Sequence, residues 1–368
     1  MKKKQVLLGM SGGVDSSVAA ALLIDQGYEV YGVTLKLWQH EGEEEMPWQS
    51  RSCCKVGVAK HVAKQLGIPY EVIDLKEEFR GAVVEDFIRG YLQGETPNPC
   101  VRCNEQIKFG AFVALAVERG MDYLATGHYA RIVYDSLDRR HVLQRAVDET
   151  KDQSYFLYRL KQDQLAKVLF PLGSIRKSQV WKRAETLGLP PEVLTESQEI
   201  CFVTQGDYRG FLEAEAPESV HAGKGEMMTS NGDVLGQHPG IAFYTVGQRR
   251  GLGISTGERQ YVVRLDATRN QVIIGKEEDL YRSNFWADQL NWVSVQGISD
   301  LLQAEVKVRY RGPLIPANLI SIGQDRVRVE LEQPQRAITP GQSVVFYRGE
   351  TVLGGGIISA SRDSDEKP

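Results

Sequence analysis

The sequence predicts an α/β protein in which a parallel-sheet domain is followed by a small central β-rich domain and a C-terminal antiparallel β-barrel. Three observations predict it. The first half alternates apolar strands with amphipathic helices, and a glycine-rich loop joins the first strand to the first helix. From about residue 205 helical periodicity gives way to short alternating runs set between Gly, Pro and Asp/Asn. The expected boundaries are 1–205, 206–280 and 281–361, with a polar tail at 362–368.

In order, Gln5–Met10 predicts a buried strand and Ser16–Gln26 a helix ended by Gly27. Glu29–Leu35 predicts a second strand, Val56–Leu66 a helix ended by Gly67, and Tyr70–Leu75 a third strand. Glu105–Arg119 predicts a helix stopped by Gly120, and Tyr123–Thr126 another strand. Such a rhythm places ligands at the carboxyl ends of the strands. Gln39–Ser52 and Gln93–Asn104 read as irregular functional loops. Farther on, Tyr261–Asp266 and Gln271–Gly275 predict a hairpin. Ala304–Tyr310, Ala317–Ile322, Val327–Leu331, Ser343–Tyr347 and Thr351–Ile358 predict the strands of the barrel.

A chain of 368 residues exceeds one ordinary core, in line with several domains. No apolar stretch reaches membrane-span length. The basic start Met1-Lys2-Lys3-Lys4 precedes an apolar run, Val6–Met10, too short for a signal-peptide core, so a cytoplasmic location is expected. Five cysteines are an odd and sparse set, which argues against a disulfide scaffold and for catalytic or metal-binding thiols. A net charge of −4 argues against non-specific nucleic-acid affinity. From Arg131 to Arg183, however, basic residues outnumber acidic ones, with Tyr155, Phe156, Tyr158 and Trp181 among them. That stretch is either a polyanion-binding surface or a solvated helical face.

Met10-Ser11-Gly12-Gly13-Val14-Asp15-Ser16-Ser17 sits between the first strand and the first helix, where backbone N–H groups and the helix dipole can hold a phosphate. Asp15 would repel a phosphate unless it faces Mg²⁺. No Lys-Ser/Thr follows the glycines, so this is not the loop of gamma-phosphate transfer. Ser-Gly-Gly-Val-Asp-Ser resembles instead the PP-loop of ATP pyrophosphatases, which cleave ATP to AMP and pyrophosphate while adenylating a substrate.

Pro97-Asn98-Pro99 leads into Cys100-Val101-Arg102-Cys103, directly before the expected helix. Thiols at a helix N-terminus near Arg102 and Lys108 are expected to have lowered pKa values. Cys201 lies far off in sequence. One cysteine carrying persulfide sulfur and a second able to attack it are the minimum needed to deliver sulfur to carbon. The rival reading is a metal, zinc or an iron–sulfur cluster, held by Cys100 and Cys103 with Cys201 or with Cys53 and Cys54. Only one Cys-x-x-Cys exists, which leaves out the paired signature of a structural zinc site, and Cys53 and Cys54 read as packing residues.

Several further blocks accompany these: Ala125-Thr126-Gly127-His128-Tyr129, Lys151-Asp152-Gln153-Ser154-Tyr155-Phe156-Leu157, Ser197-Gln198-Glu199-Ile200-Cys201-Phe202 and Tyr244-Thr245-Val246-Gly247-Gln248-Arg249-Arg250-Gly251. With the loop and the thiols they resemble, in order and over nearly the whole chain, the bacterial tRNA-specific 2-thiouridylases. That resemblance implies a PP-loop (adenine nucleotide alpha hydrolase-like) fold and a tRNA-uridine 2-sulfurtransferase. Its reaction is ATP-dependent 2-thiolation of the wobble uridine in the anticodon. By the same resemblance Cys103 is the nucleophile and Cys201 the persulfide carrier. Gly9, Met10, Ser11, Gly12, Gly13, Val14, Asp15, Ser16, Leu35 and Gly127 contact ATP, with Mg²⁺ reaching Asp15 through the nucleotide. Asn98, Pro99 and Cys100 face the target base. His128, Lys151, Asp152, Gln153, Arg309, Tyr310 and Gln342 touch tRNA. Some members carry Asp where this chain has Cys100; if a carboxylate there handles a proton, this chain must use the thiol, a water or another group. The implied partners are the tRNA anticodon arm and a sulfur-donor protein, a cysteine desulfurase or relay protein, with no membrane and a monomeric enzyme.

Uridine C2 is a poor electrophile until its oxygen is adenylated. A Cys201 persulfide then either attacks C2 and is cleaved by Cys103, or is attacked first by Cys103, which forms the disulfide and releases hydrosulfide to attack C2. The wobble base must leave its stack to reach such a pocket. Two other readings stand: a PP-loop ligase of a small carbonyl substrate, indifferent to Cys103 and Cys201, and a tRNA-binding protein that forms no AMP.

Overall fold

The computed structural model describes residues 2–39, 55–189, 200–203, 206–221, 223–254 and 257–359. Two compact units make up the chain: Met1–Val83 with Cys100–Gly206 and Glu350–Val352, and Val84–Pro99 with Asp207–Gly349 and the chain from Leu353.

The first unit holds the nucleotide loop because the expected βα rhythm forms. Its strands are β1 (Gln5–Gly9), β2 (Glu29–Lys36), β3 (Tyr70–Asp74), β4 (Tyr123–Ala125), the hairpin β5 (Ala130–Asp135) and β6 (Arg140–Arg145), and β7 (Val168–Leu169). The sheet runs β3-β2-β1-β4-β7, every neighbour parallel. Val6 and Leu8 join one core with the helices Val14–Asp25, Val56–Gln65 and Lys177–Thr186. Leu7, equally buried, points to the opposite face by the alternation of a strand. The sheet is thus covered on both sides, and its carboxyl edge is where β1 hands over to the loop.

In the second unit β8 (Gly225–Thr229), β9 (Val234–His238), β10 (Tyr261–Asp266) and β11 (Gln271–Gly275) form a sheet in the order β10-β11-β8-β9. The β10–β11 hairpin lies where alternation predicts it, with Asn270 in the left-handed region at φ 52°. The barrel comprises β12 (Tyr281–Trp292), β13 (Leu301–Lys307), β14 (Ile315–Ser321), β15 (Arg326–Arg336), β16 (Ser343–Arg348) and β17 (Thr351–Ser359). Its order is β12-β15-β14-β13-β16-β17, and β17 pairs back onto β12, which removes the free edges. Phe285, Val306, Leu319, Val329, Phe346 and Ile358 fill it from alternate positions.

The expected α/β class with a C-terminal antiparallel barrel therefore forms, with several local corrections, among them the unpredicted β5–β6 hairpin and strands β8 and β9. The chain is helical from Lys76 to Leu92, a stretch with no place in the sequence reading. The twelve-residue β12 was likewise absent from it. And Gln93–Asn104 is not irregular throughout: helix begins at Pro99, whose fixed φ and missing N–H suit a first helical position. The loop expected at Gln39–Ser52 beyond its first residue, the packing role of Cys53 and Cys54, and the tail from residue 360 lie outside the described residues.

Candidate active site

Backbone geometry and serine hydroxyls together set the shape of the loop. Met10 N–H donates to Val33 O at 2.8 Å, which carries the chain straight off β1. Gly12 has φ +78°, and a Cβ there would lie 2.4 Å from Lys55 O, so only glycine fits. Gly13 caps the Val14–Asp25 helix without any side-chain bond, which leaves the first-turn N–H groups for another acceptor. Ser16 Oγ accepts from Ser11 N at 3.2 Å and donates to Gly13 O at 3.1 Å, and Ser17 Oγ donates to Gly13 O at 2.9 Å. Gly127 closes the same helix end: a Cβ on it would lie 2.9 Å from Ser16 N and 3.0 Å from the Asp15 carbonyl carbon. Met10, Val14 and Leu35 are buried.

Asp15 is held by two residues that carried no role in the sequence reading. Lys177 Nζ donates to both its oxygens, at 2.7 and 2.8 Å, and Tyr129 OH donates to one at 2.6 Å. Lys177 is only 7% exposed. Its ammonium lies 5.6 Å from the Tyr129 ring and 5.5 Å from that of Trp181, and its backbone N–H donates to Asp148 Oδ2 at 2.9 Å. Lys177 and Asp15 stand 162 positions apart, so no local spacing could link them; the only signal was the basic stretch that contains Lys177.

The Lys151-Asp152-Gln153 run points mostly inward. Asp152, 4% exposed, accepts from Ala146 N at 3.0 Å, Ser154 N at 3.2 Å and Ser154 Oγ at 2.9 Å. Gln153 brackets Tyr129: its Oε1 accepts from Tyr129 N at 2.9 Å and its N–H donates to Tyr129 O at 2.8 Å. Lys151 keeps a partly exposed side chain.

Cys100 and Cys103 do not precede a helix; they lie inside one, Pro99–Arg102 continuing as a wide π-type segment, Cys103–Ala111, and then Phe112–Glu118. Cys103 is buried and Cys100 half-buried. Lowered thiol pKa values, expected from sequence, are contradicted. Burial pushes the Cys103 thiol up to about 12 and that of Cys100 up to about 11, and Lys108 offsets only part of this. Arg102 gives little help because Glu105 takes it at 3.0 Å, along with Arg159 at 2.7 Å. Asn104, beside Cys103, is buried and donates to Phe156 O at 3.3 Å.

Cys201 lies in the same unit as the other two cysteines, near enough for its thiolate to add to the upward push on both Cys100 and Cys103. Phe202 anchors it, its buried ring 5.7 Å from Phe79 and 5.9 Å from Trp38. None of the three thiols is in a disulfide. Among the described residues no group of three His, Cys, Asp or Glu side chains is placed to hold a metal ion. His128 bonds Thr126 Oγ1 through Nδ1 at 2.7 Å and packs between Phe109 and Phe170. Burial, with Lys108 alongside, holds its imidazole well below the usual histidine range, so the ring is neutral at physiological pH.

The remaining predicted residues belong to the second unit. Gln342 Nε2 donates to Thr96 O at 2.8 Å, and Thr96 N donates to Pro340 O at 2.8 Å, which fixes the segment leading to Asn98 and Pro99. Arg309 is exposed and Tyr310 half-buried just after β13. Among the described residues no helix is long and apolar enough to cross a membrane.

Three family models match in succession: a tRNA methyl transferase HUP domain over residues 4–205, a tRNA methyl transferase PRC-barrel domain over 209–276, and an aminomethyltransferase beta-barrel domain over 282–358. Proteins described as tRNA-specific 2-thiouridylase MnmA are similar over nearly their whole length. That of Acetivibrio thermocellus is 45% identical, covering 97% of this chain and 100% of the relative. That of Natranaerobius thermophilus is 46% identical, covering 97% and 98%. That of Moorella thermoacetica is 47% identical, covering 96% and 99%. A solved structure, a predicted subunit of tRNA methyltransferase from Methanocaldococcus jannaschii, aligns with a TM-score of 0.34 at 20% identity, over 59% of this chain and 91% of that one.

Proposed function

The chain belongs to the tRNA-specific 2-thiouridylase family and is a tRNA-uridine 2-sulfurtransferase, and we propose that it works by adenylating the C2 oxygen of the wobble uridine and passing it sulfur from Cys201. The observation that supports this mechanism is that Cys201, Cys100 and Cys103 lie in the unit that also holds the nucleotide loop, with Cys201 near enough to act on the ionisation of the other two. The matching family models bear the name methyl transferase, but three thiols in the unit of the nucleotide loop favour sulfur chemistry over methyl transfer.

In this reading the phosphates of ATP lie on the bare first-turn N–H groups of the Val14–Asp25 helix, with Gly12, Gly13 and Gly127 admitting them and Leu35 walling the base. With Asp15 as a single carboxylate at the loop, the residues fit an Mg²⁺ that arrives on the phosphates and neutralises them, one protein carboxylate being usual for that ion. The C2 oxygen attacks the alpha-phosphorus, and pyrophosphate leaves. The terminal sulfur of a Cys201 persulfide then bonds to C2. Cys103 attacks the Cys201 sulfur, the sulfur–sulfur bond breaks, its electron pair stays with the sulfur on C2, and AMP departs. The products are 2-thiouridine, AMP and a Cys103–Cys201 disulfide, which an external dithiol reduces. Burial keeps Cys103 protonated until it reacts, which protects it from oxidants between turnovers.

Asn98, Pro99 and Cys100 face the base, and Cys100, a thiol with a raised pKa, is a poor base for the proton that a carboxylate would take. His128 meets tRNA as a neutral hydrogen-bonding ring. Lys151, Arg309 and Tyr310 contact the anticodon arm directly, whereas Asp152, Gln153 and Gln342 shape the backbone around it. Sulfur comes from a cysteine desulfurase or a relay protein, and the enzyme acts as a monomer of three domains, 1–205, 206–280 and 281–361.

The test is mass spectrometry of nucleosides from tRNA incubated with the protein, ATP, Mg²⁺ and a persulfide source. The expected result is 2-thiouridine at the wobble position in step with AMP. AMP without 2-thiouridine would assign the loop to a different acceptor.

A further inference from the structure

The loop Gly9–Ser17 contains one carboxylate, Asp15, and no Lys or Arg of its own. A phosphate on the helix N–H groups would therefore meet an anion first, which opposes binding. The cation that answers this is Lys177, whose Nζ donates to both Asp15 oxygens at 2.7 and 2.8 Å, at the helix end where those N–H groups lie. Nothing about folding asks for a lysine here. A buried ion pair is commonly replaced by apolar side chains at no loss of stability, and a lysine, here only 7% exposed, ordinarily reaches out to water.

The stem of Lys177 is instead aimed inward. The rings of Tyr129 and Trp181 flank its ammonium, and Asp148 holds its backbone N–H at 2.9 Å. Tyr129, which shares Asp15 with it, is itself bracketed by Gln153. A cation fixed from three sides against the loop's only carboxylate is placed for a ligand that brings both negative oxygens and a metal.

We propose that Lys177 is a nucleotide-binding residue: its ammonium moves from Asp15 to the β- and γ-phosphate oxygens of ATP as Asp15 turns to the Mg²⁺ they carry. Charge is balanced on both sides of the exchange, since the carboxylate trades an ammonium for a divalent cation and the phosphates gain the ammonium. The inference rests on ATP being the ligand of this loop.

Calorimetric binding of ATP, AMP and pyrophosphate, each with Mg²⁺, separates the possibilities. For Lys177→Met the affinity for ATP and for pyrophosphate should fall about ten- to a hundredfold, the usual worth of a hydrogen bond to a charged group. AMP binding should change less than about threefold, and Lys177→Arg should keep more ATP affinity than Lys177→Met. Equal losses for ATP and AMP would mean that Lys177 only supports the loop, and unchanged ATP binding would mean that it only neutralises Asp15; either overturns the proposal. Should Lys177→Met fail to fold, the double variant Asp15→Asn/Lys177→Met, which strands no carboxylate, is compared with Asp15→Asn alone for the same ATP-to-AMP ratio. Wild-type protein that binds no ATP would instead refute the nucleotide reading itself.

Discussion

Gln153 grips the backbone of Tyr129 from both sides, taking its N–H at 2.9 Å on the side-chain oxygen and giving its own N–H to the Tyr129 carbonyl at 2.8 Å. Tyr129 in turn bonds Asp15 at 2.6 Å, so a residue of the run that the family resemblance assigns to tRNA also steadies the nucleotide loop. Gln153→Ala should therefore raise the KM for ATP, by about fivefold for a lost hydrogen bond of about 1 kcal/mol. Steady-state kinetics at saturating tRNA measures this. An unchanged ATP KM beside a raised tRNA KM would confine Gln153 to tRNA.

Gly127 has no room for a side chain, its would-be Cβ standing 2.9 Å from Ser16 N. Gly127→Ala should push the first helical turn away from the phosphates and weaken ATP binding about ten- to a hundredfold, the scale of a 1–3 kcal/mol overpacking cost. Titration calorimetry together with a thermal melt checks the point, because the loss should appear with the fold retained.

On the proposed mechanism the thiols and the loop perform separable steps. Cys103→Ser and Cys201→Ser should each lower 2-thiouridine formation on the order of a hundredfold or more, while tRNA-dependent release of pyrophosphate persists. Nucleoside mass spectrometry and a pyrophosphate assay on the same samples report the two halves. Loss of pyrophosphate release in both variants would tie the cysteines to adenylation instead.

Burial raises the Cys103 thiol to about 12, which fixes the sign of its pH response. The reactive thiolate grows about tenfold per pH unit as long as the pH stays below that value. Alkylation of Cys103 by iodoacetamide, followed by peptide mass spectrometry, should thus keep rising from pH 7 through pH 10. An ordinary exposed thiol levels off near its own value of about 8.5. A plateau between pH 8 and 9 would show that Cys103 is open to water.

Most of the scaffold was legible from local patterns. The alternation in Tyr261–Asp266 and Gln271–Gly275 marked a hairpin that forms at those residues, and the strands on either side of the nucleotide loop start where their apolar runs do. Ser-Gly-Gly-Val-Asp-Ser marked the phosphate cradle because its demands are local: a left-handed Gly12 and a helix that begins with nothing capping it. Elements without a clean period escaped, among them Lys76–Leu92, where a π-type turn shifts the helical phase, and β12, whose exposed first residues break alternation.

By itself the sequence determined the α/β class, the position of the main strands around the glycine-rich loop and the C-terminal barrel, since these follow from neighbours a few residues apart. Only the tertiary structure decided that Lys177 meets Asp15, that Asp152 faces inward, and that Cys103 is a reluctant thiol within a helix and not an acidic one at its start. Desolvation and charge pairing depend on what the fold wraps around a group, and no spacing along the chain encodes how much water is left beside it.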